Sequence, residues 1–189
     1  MPRVNAREDL LQRAITHISQ RGITDLSLRE LGAAIGSSHR MLIHHFGSRE
    51  GLWVEVIRAV ERHQRATFPS VMPDPIADPA GAMRAWWKHI SDPSLWPNER
   101  LFFELYGQAL QGRPGTEELF DGIVDSWIEP VIPINMAMGM DEPTARAQAR
   151  LGIAVTRGLL LDLLATGDRE HVDAALERWI ALNLNSGSG

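Results

Sequence analysis

Cysteine is absent from the 189 residues. That rules out disulfides and thiolate metal sites and agrees with a reducing compartment. Nowhere is there an apolar run of about 20 residues, the length a membrane-spanning helix needs. The opening Met1-Pro2-Arg3-Val4-Asn5-Ala6 is succeeded by no apolar signal core. A cytoplasmic location with no membrane partner is the expectation. Strand-like alternation of polar and apolar residues is absent or short. Catalytic constellations are missing as well: no paired nucleophile and base, no metal-ligating cluster, no glycine loop that would cradle a phosphate. No enzyme activity, catalytic residue, metal or cofactor is therefore expected.

Hydrophobic residues make up 44% of the chain and charged residues 23%, enough for a buried core and an ordinary polar surface. The net charge of -5 is unevenly placed. Residues 1–65 carry ten Arg, no Lys and seven acids, whereas the remainder carries nine basic and seventeen acidic groups. A basic end on an acidic chain suits contact with a polyanion at that end only.

Helical periodicity dominates. Leu10, Leu11, Ala14, Ile15 and Ile18 share one face of a first helix, which Gly22 is expected to stop. Ser27-Leu28-Arg29-Glu30 reads as a capping box opening a second helix. After a turn at Gly36, Ser37 or Ser38 caps a short third helix reaching about His45. Gly47 and Ser48 lead into a fourth. Pro69, Pro73, Pro75 and Pro79 mark a loop. Asp78-Pro79 and Asp92-Pro93 each read as a cap with a first-turn proline after it. Thr116 is expected to cap a helix reaching about Glu129, and Pro130 and Pro133 to break the chain beyond it. Asp141 opens a long helix ending at Gly167, and Asp168 opens a last one. The tail 185–189 reads as disordered.

Two short helices joined by a tight turn, with a helix packed in front, make a helix-turn-helix, whose second helix is small enough to enter the major groove of DNA. The stretch SLRELGAAIGSSHRMLIHHFGSREGL, Ser27 to Leu52, resembles the DNA-binding signature of the TetR family of transcriptional regulators. Leu42-Ile43-His44-His45-Phe46 and Arg49-Glu50-Gly51-Leu52 match most specifically. Some positions depart from that pattern: Ile43 replaces a tyrosine that typically holds DNA backbone, Arg49 replaces a lysine, and Arg40 and Met41 stand where small residues or proline are commoner. The resemblance implies an all-α chain. A three-helix helix-turn-helix domain would occupy residues 1–48, and a larger helical ligand-binding and dimerisation domain residues 49–184.

Candidate DNA contacts are Ser27, Ser38, His39, Arg40, Met41, His44 and Arg49. Arg40 lies in the first turn of the third helix, where an Arg can pair bidentately with guanine; a phosphate contact is the alternative. Ser27 and Arg49 lie at helix starts, where backbone amides favour phosphate. Adjacent His44 and His45 point about 100° apart and suit no shared metal; His44 is read against DNA backbone and His45 as packed. Trp86, Trp87, Phe102, Phe103, Tyr106 and Trp127 are candidate walls of the small-molecule site that the resemblance implies, with Tyr106 and Gln108 as orienting groups. Core packing is the alternative for all six aromatics. The few basic groups among these helices favour an apolar or aromatic effector over a phosphorylated one.

The segment from Leu151 to Leu164 is apolar on nearly every side and needs cover twice over. A homodimer through Leu151, Val155, Leu159, Leu163, Leu176 and Trp179 meets that need; a single well-buried helix is the alternative. The expected function is a DNA operator-binding regulator, in the family's usual manner a repressor released by a small effector. The alternative is a TetR-shaped module that binds protein chiefly and DNA only as an accessory.

Overall fold

The computed structural model describes residues 6–21 and 26–184. Every regular element among them is helical: α1 (Ala6–Arg21), α2 (Leu28–Ala34), α3 (His39–Phe46), α4 (Arg49–Val71), α5 (Pro79–Ile90), α6 (Trp96–Leu110), α7 (Asp125–Ile128), α8 (Ile132–Ala137), α9 (Glu142–Thr166) and α10 (Arg169–Asn183). The chain forms two compact units. The first joins residues up to Gln64 with Ser94–Asp121, and the second joins Arg65–Pro93 with the part from Gly122 onward. The sequence-based division after residue 48 cuts the chain elsewhere, because compactness keeps the first two-thirds of α4 and all of α6 with α1–α3.

In the first unit the apolar faces of four helices meet. Leu11, Ala14 and Ile18 from α1, Leu31 from α2, Leu42 from α3, and Leu52, Val56 and Ile57 from α4 are all but inaccessible to solvent. Burying each large side chain contributes roughly 1.5–3 kcal/mol. Arg13 ties α1 to the end of α2: its Nη1 donates to the Ile35 carbonyl at 2.7 Å, and its Nη2 pairs with Asp9 at 2.7 Å. Asn98 of α6 donates to Ser19 Oγ of α1 at 3.3 Å, and Gln64 of α4 donates to Glu99 of α6 at 2.6 Å.

In the second unit α9 is the central element. Ala145 and Ala149 pack against Ile128 of α7 and Ile132 of α8, and Asn135 Nδ2 donates to the Ala145 carbonyl at 2.9 Å. Polar ties join α5 to α10. Trp87 Nε1 donates to Asp173 at 2.7 Å, and Arg84 forks onto both carboxylate oxygens of Glu177, each at 2.7 Å.

Three sequence-based boundaries change. α4 runs through Pro69 to Val71; a proline only two residues from a helix end removes one N–H bond where little helix remains to be lost. Asp92-Pro93 opens a single 3-10 turn at Pro93–Leu95, and α6 starts after it with no side-chain cap. The expected helix from Thr116 to Glu129 is broken. The Thr116 hydroxyl donates backward to the Arg113 carbonyl, a 3-10 turn spans Glu117–Phe120, and Gly122 takes φ +68°, so α7 is only four residues long. Of the two serines expected to cap the third helix, Ser38 does so. The expected stop at Gly22 and the tail at 185–189 lie outside the described residues.

Two glycines allow the helices of the first unit to cross closely. A Cβ at Gly32 would stand 3.0 Å from the backbone of both Ser38 and His39. One at Gly51 would collide with the carbonyl oxygen of Phe46. Both obstacles are backbone, which cannot swing aside. Gly51→Ala, favoured by helix propensity alone, is therefore expected to destabilise the fold by roughly 1–3 kcal/mol. Urea unfolding would measure the change, and an unchanged or higher midpoint would refute the crossing argument.

Candidate nucleic-acid interface and apolar cavity

α3 is eight residues long, and packing settles which of its sides is free. Leu42 and Phe46 are buried. The Arg7 guanidinium lies 5.2 Å from the centroid of the Phe46 ring and pairs with Glu55 at 2.8 Å. Ser38 Oγ accepts the Met41 amide at 3.2 Å, fixing the first turn of the helix. Gly36, at φ +67°, turns the chain between α2 and α3. His39, Arg40, Met41 and His44 are consequently exposed on the side facing away from the core. His45 is half-buried, and its Nε2 is shielded with no hydrogen-bond partner.

The two flanking helix starts complete the surface. Ser27 and Glu30 form the expected capping box: Glu30 N donates to Ser27 Oγ at 3.2 Å, and the Ser27 amide and hydroxyl donate to Glu30 Oε2 at 2.9 and 2.6 Å. Ser48 Oγ accepts the Gly51 amide at 2.9 Å at the head of α4. Between these starts lies an open recess lined by Ser27, Arg29, His39, Ile43, Ser48 and Arg49, among others. All seven candidate DNA contacts are exposed, and Ser27, His39 and Arg49 share this recess. Arg29 belongs to it too, although nothing in the sequence pattern singled it out; its position one residue beyond Leu28, the first buried residue of α2, was the signal that could have found it. Ile43 is half-buried there and offers no polar group in place of the family's tyrosine.

Residues 10–56 match the model of the bacterial regulatory proteins of the tetR family. That match spans most of α1, all of α2 and α3, and the first turns of α4. The likeness in fold extends over nearly the whole chain. A transcriptional regulator from Rhodococcus sp. Rha1 superposes with a TM-score of 0.74 at 20% identity, covering 95% of this chain and 96% of that one. A TetR transcriptional regulator from Legionella pneumophila gives 0.69 at 20% identity, covering 96% and 98%. The multidrug binding protein EbrR in complex with imidazole gives 0.61 at 26% identity, covering 91% and 88%. Curated proteins offer no match. The chain thus has the all-α fold of a TetR-family transcriptional regulator.

The second unit of this TetR-fold chain contains an apolar cavity of about 80 Å3, partly open to solvent, at the meeting of the end of α4 with α5, α8, α9 and α10. Of the six aromatics read as ligand walls, Trp86 alone lines it. Trp127 packs beside it, 5.4 Å from Trp86 between ring centroids, and Trp87 is taken up by its bond to Asp173. Phe102, Phe103 and Tyr106 belong to the first unit, where Tyr106 stacks edge-on against Phe120 at 5.0 Å; Gln108 donates to Glu104. The cavity walls the sequence did not reveal include Phe68, Met72 and Met83. Phe68 and Met72 fall in the stretch read as entering a loop.

The apolar surface of α9 is also resolved. Leu163 and, on α10, Leu176 are buried at 0% and 2% exposure, so these two of the six residues read as a dimer interface are spent on the chain's own core. Leu151 is exposed, and Val155, Leu159 and Trp179 are half-buried. Leu151, Ala154, Gly158, Leu161 and Ala165 form an exposed stripe at alternating three- and four-residue spacing, the pattern of a helix–helix seam. Exposed Ala174, Ala175, Ala181 and Leu182 on α10 add apolar surface.

Bonds from Ser27 hold the Glu30 carboxyl below the usual carboxylate range, its side-chain hydrogen bond being the larger cause. A lowered pKa adds stability above the group's unfolded pKa and loses it as pH falls through the folded one. Wild type is therefore expected to melt above Glu30→Ala at neutral pH, with the gap closing as the pH drops through and below the ordinary glutamate range. Melting curves across pH test this; a gap independent of pH would contradict it.

Proposed function

We propose that this protein is a cytoplasmic, ligand-responsive transcriptional regulator that binds duplex DNA as a homodimer, and that it acts as a repressor released by an apolar effector. The observation that carries the reading is the outer face of α3. A short helix, locked at its start by Ser38 and along its inner side by Leu42 and Phe46, leaves His39, Arg40, Met41 and His44 free at its exposed side. Arg29 and Arg49 stand in the flanking recess. This is the arrangement by which a recognition helix reads base edges while its neighbours grip phosphate. Arg40 is the base reader; Arg49 and Arg29 contact phosphate.

The dimer reading rests on the exposed seam of α9 and the adjoining apolar face of α10. Packed against a second copy, two helices from each chain would make a four-helix interface. The effector reading rests on the apolar cavity. That the cavity takes a small ligand at all draws support from EbrR, a multidrug binding protein that holds imidazole in one structure and proflavin in another. Ligand would act by preferring a spacing of the two recognition helices that misfits the operator, and bound operator would weaken ligand binding by the same factor.

Selection from random duplexes, with fluorescence anisotropy on the enriched sequence, tests the reading; binding that fails to appear, or that ignores salt, would overturn it. Arg49→Ala is expected to weaken binding to every sequence alike and to reduce the log–log salt slope by about 0.9. Arg40→Ala is expected to cost ~1–3 kcal/mol on the enriched sequence and to relax one base position. An exchange of these two phenotypes would reverse the roles.

Leu161 is 49% exposed, so the folded protomer should tolerate a charge there. Leu161→Arg is expected to sediment as a folded monomer where wild type sediments as a dimer, because it would bury unpaired charges at the seam. A variant that stays dimeric would remove α9 from the interface.

A further inference from the structure

We infer that the cavity of the second unit selects an uncharged, largely apolar ligand bearing a single hydrogen-bonding group such as a hydroxyl, and rejects anions and cations of the same shape. This deepens the ligand-responsive reading and rests on it for the ligand's regulatory meaning.

None of the side chains lining the cavity is ionisable. A carboxylate or ammonium group entering it would leave water and find no counter-charge, a transfer costly enough that such groups neutralise or stay outside. Of the aromatic faces that could hold a cation without a carboxylate, those of Trp86 are already engaged. Its ring packs against Phe68 at 5.0 Å, Trp127 at 5.4 Å and His89 at 5.5 Å between centroids. The thioethers of Met72, Met83 and Met138 complete a soft wall that adapts to shape without supplying charge.

The polar side chains are few and neutral: Trp179, Thr156, Asn135 and Gln148, whose amide offers both a donor and an acceptor. Trp179, whose ring walls the cavity, has a buried Nε1–H with no acceptor. Thr156 gives its hydroxyl proton to the Gly152 carbonyl at 2.7 Å, so its oxygen can only accept. Asn135 is 5% exposed and lines the cavity; its amide nitrogen is held by the Ala145 carbonyl at 2.9 Å, which leaves its oxygen as an acceptor. Donors on Trp179 and Gln148 and acceptors on Thr156, Asn135 and Gln148 match a neutral group that both accepts and donates. A ligand hydroxyl does both; a bare hydrocarbon would leave the indole N–H unpaired, and a carboxylate would bring a charge that no lining side chain neutralises.

Four matched probes test this with the full chain: 2-naphthalenemethanol, 2-methylnaphthalene, 2-naphthoate and 2-naphthalenemethylammonium, titrated by calorimetry at neutral pH. The alcohol is expected to bind about ten-fold or more tightly than either ion and more tightly than the hydrocarbon. Trp179→Phe, which keeps an aromatic ring and removes the donor, is expected to weaken the alcohol about ten-fold and leave the hydrocarbon unchanged. Asn135→Leu should do the same; because it also releases the Ala145 carbonyl, Trp179→Phe is the variant that decides if Asn135→Leu does not fold. An ion binding as tightly as the alcohol, equal losses for alcohol and hydrocarbon in Trp179→Phe, or no binding of any probe would overturn the inference. Operator affinity measured at saturating alcohol is a separate readout. Neutral selectivity with unchanged DNA affinity would leave the inference standing and remove the release mechanism. Charged probes that bind and release DNA would do the reverse.

Discussion

The close crossing of backbones at the two ends of α3 is the constraint on which the first unit depends. An eight-residue helix does not hold itself together in water, since isolated helices below about 12–15 residues are marginal. α3 persists because α2 meets its start and α4 meets its end with no side chain between them, at Gly32 and Gly51. Leu42 and Phe46 then anchor its inner side in the core. Every exposed feature of the interface depends on that clamp. With two residues buried and the turns at both ends fixed, His39, Arg40 and His44 have one side of the unit left to occupy.

The two units apply opposite physics to their functional surfaces. The first displays charge in the open. Arg29, Arg40 and Arg49 are exposed, and a polyanion would find them in high dielectric, where attraction is strong in sum and sensitive to salt. The second conceals neutral groups. Its cavity joins thioethers, aromatic edges and a few uncharged polar atoms, with ion pairs such as Arg84–Glu177 and Arg146–Glu129 kept on exposed side chains. Under the proposed function, an anionic polymer at the first surface and an apolar molecule in the second would each be chemically unsuited to the other's site.

The N-terminal helices could be read directly because their signals are local. A capping box depends on residues three apart, a turn glycine on its own φ, and an amphipathic face on a 3.6-residue period. Ser27, Glu30, Gly36 and Ser38 each performed as their positions predict. The middle of the chain resisted reading for the converse reason. Thr116 looks like a cap, but its hydroxyl bonds backward while Gly122 breaks the chain beyond it. Pro69 looks like a stop, but it falls late enough in α4 for the helix to pass through it.

Local spacing thus determined the all-helical plan, the helix-turn-helix with its exposed first-turn side chains, and the surplus of apolar surface on α9. Which apolar residues are spent internally was decided by tertiary packing. Trp86 and Trp87 are neighbours in sequence, but one walls a cavity and the other bonds Asp173; Leu161 and Leu163 lie two residues apart, but one is exposed and the other buried. Composition and period see these pairs as nearly equivalent. Successive residues on a helix point about 100° apart, and only the elements packed on each side of that helix determine which direction is core, which is cavity and which is left for a partner.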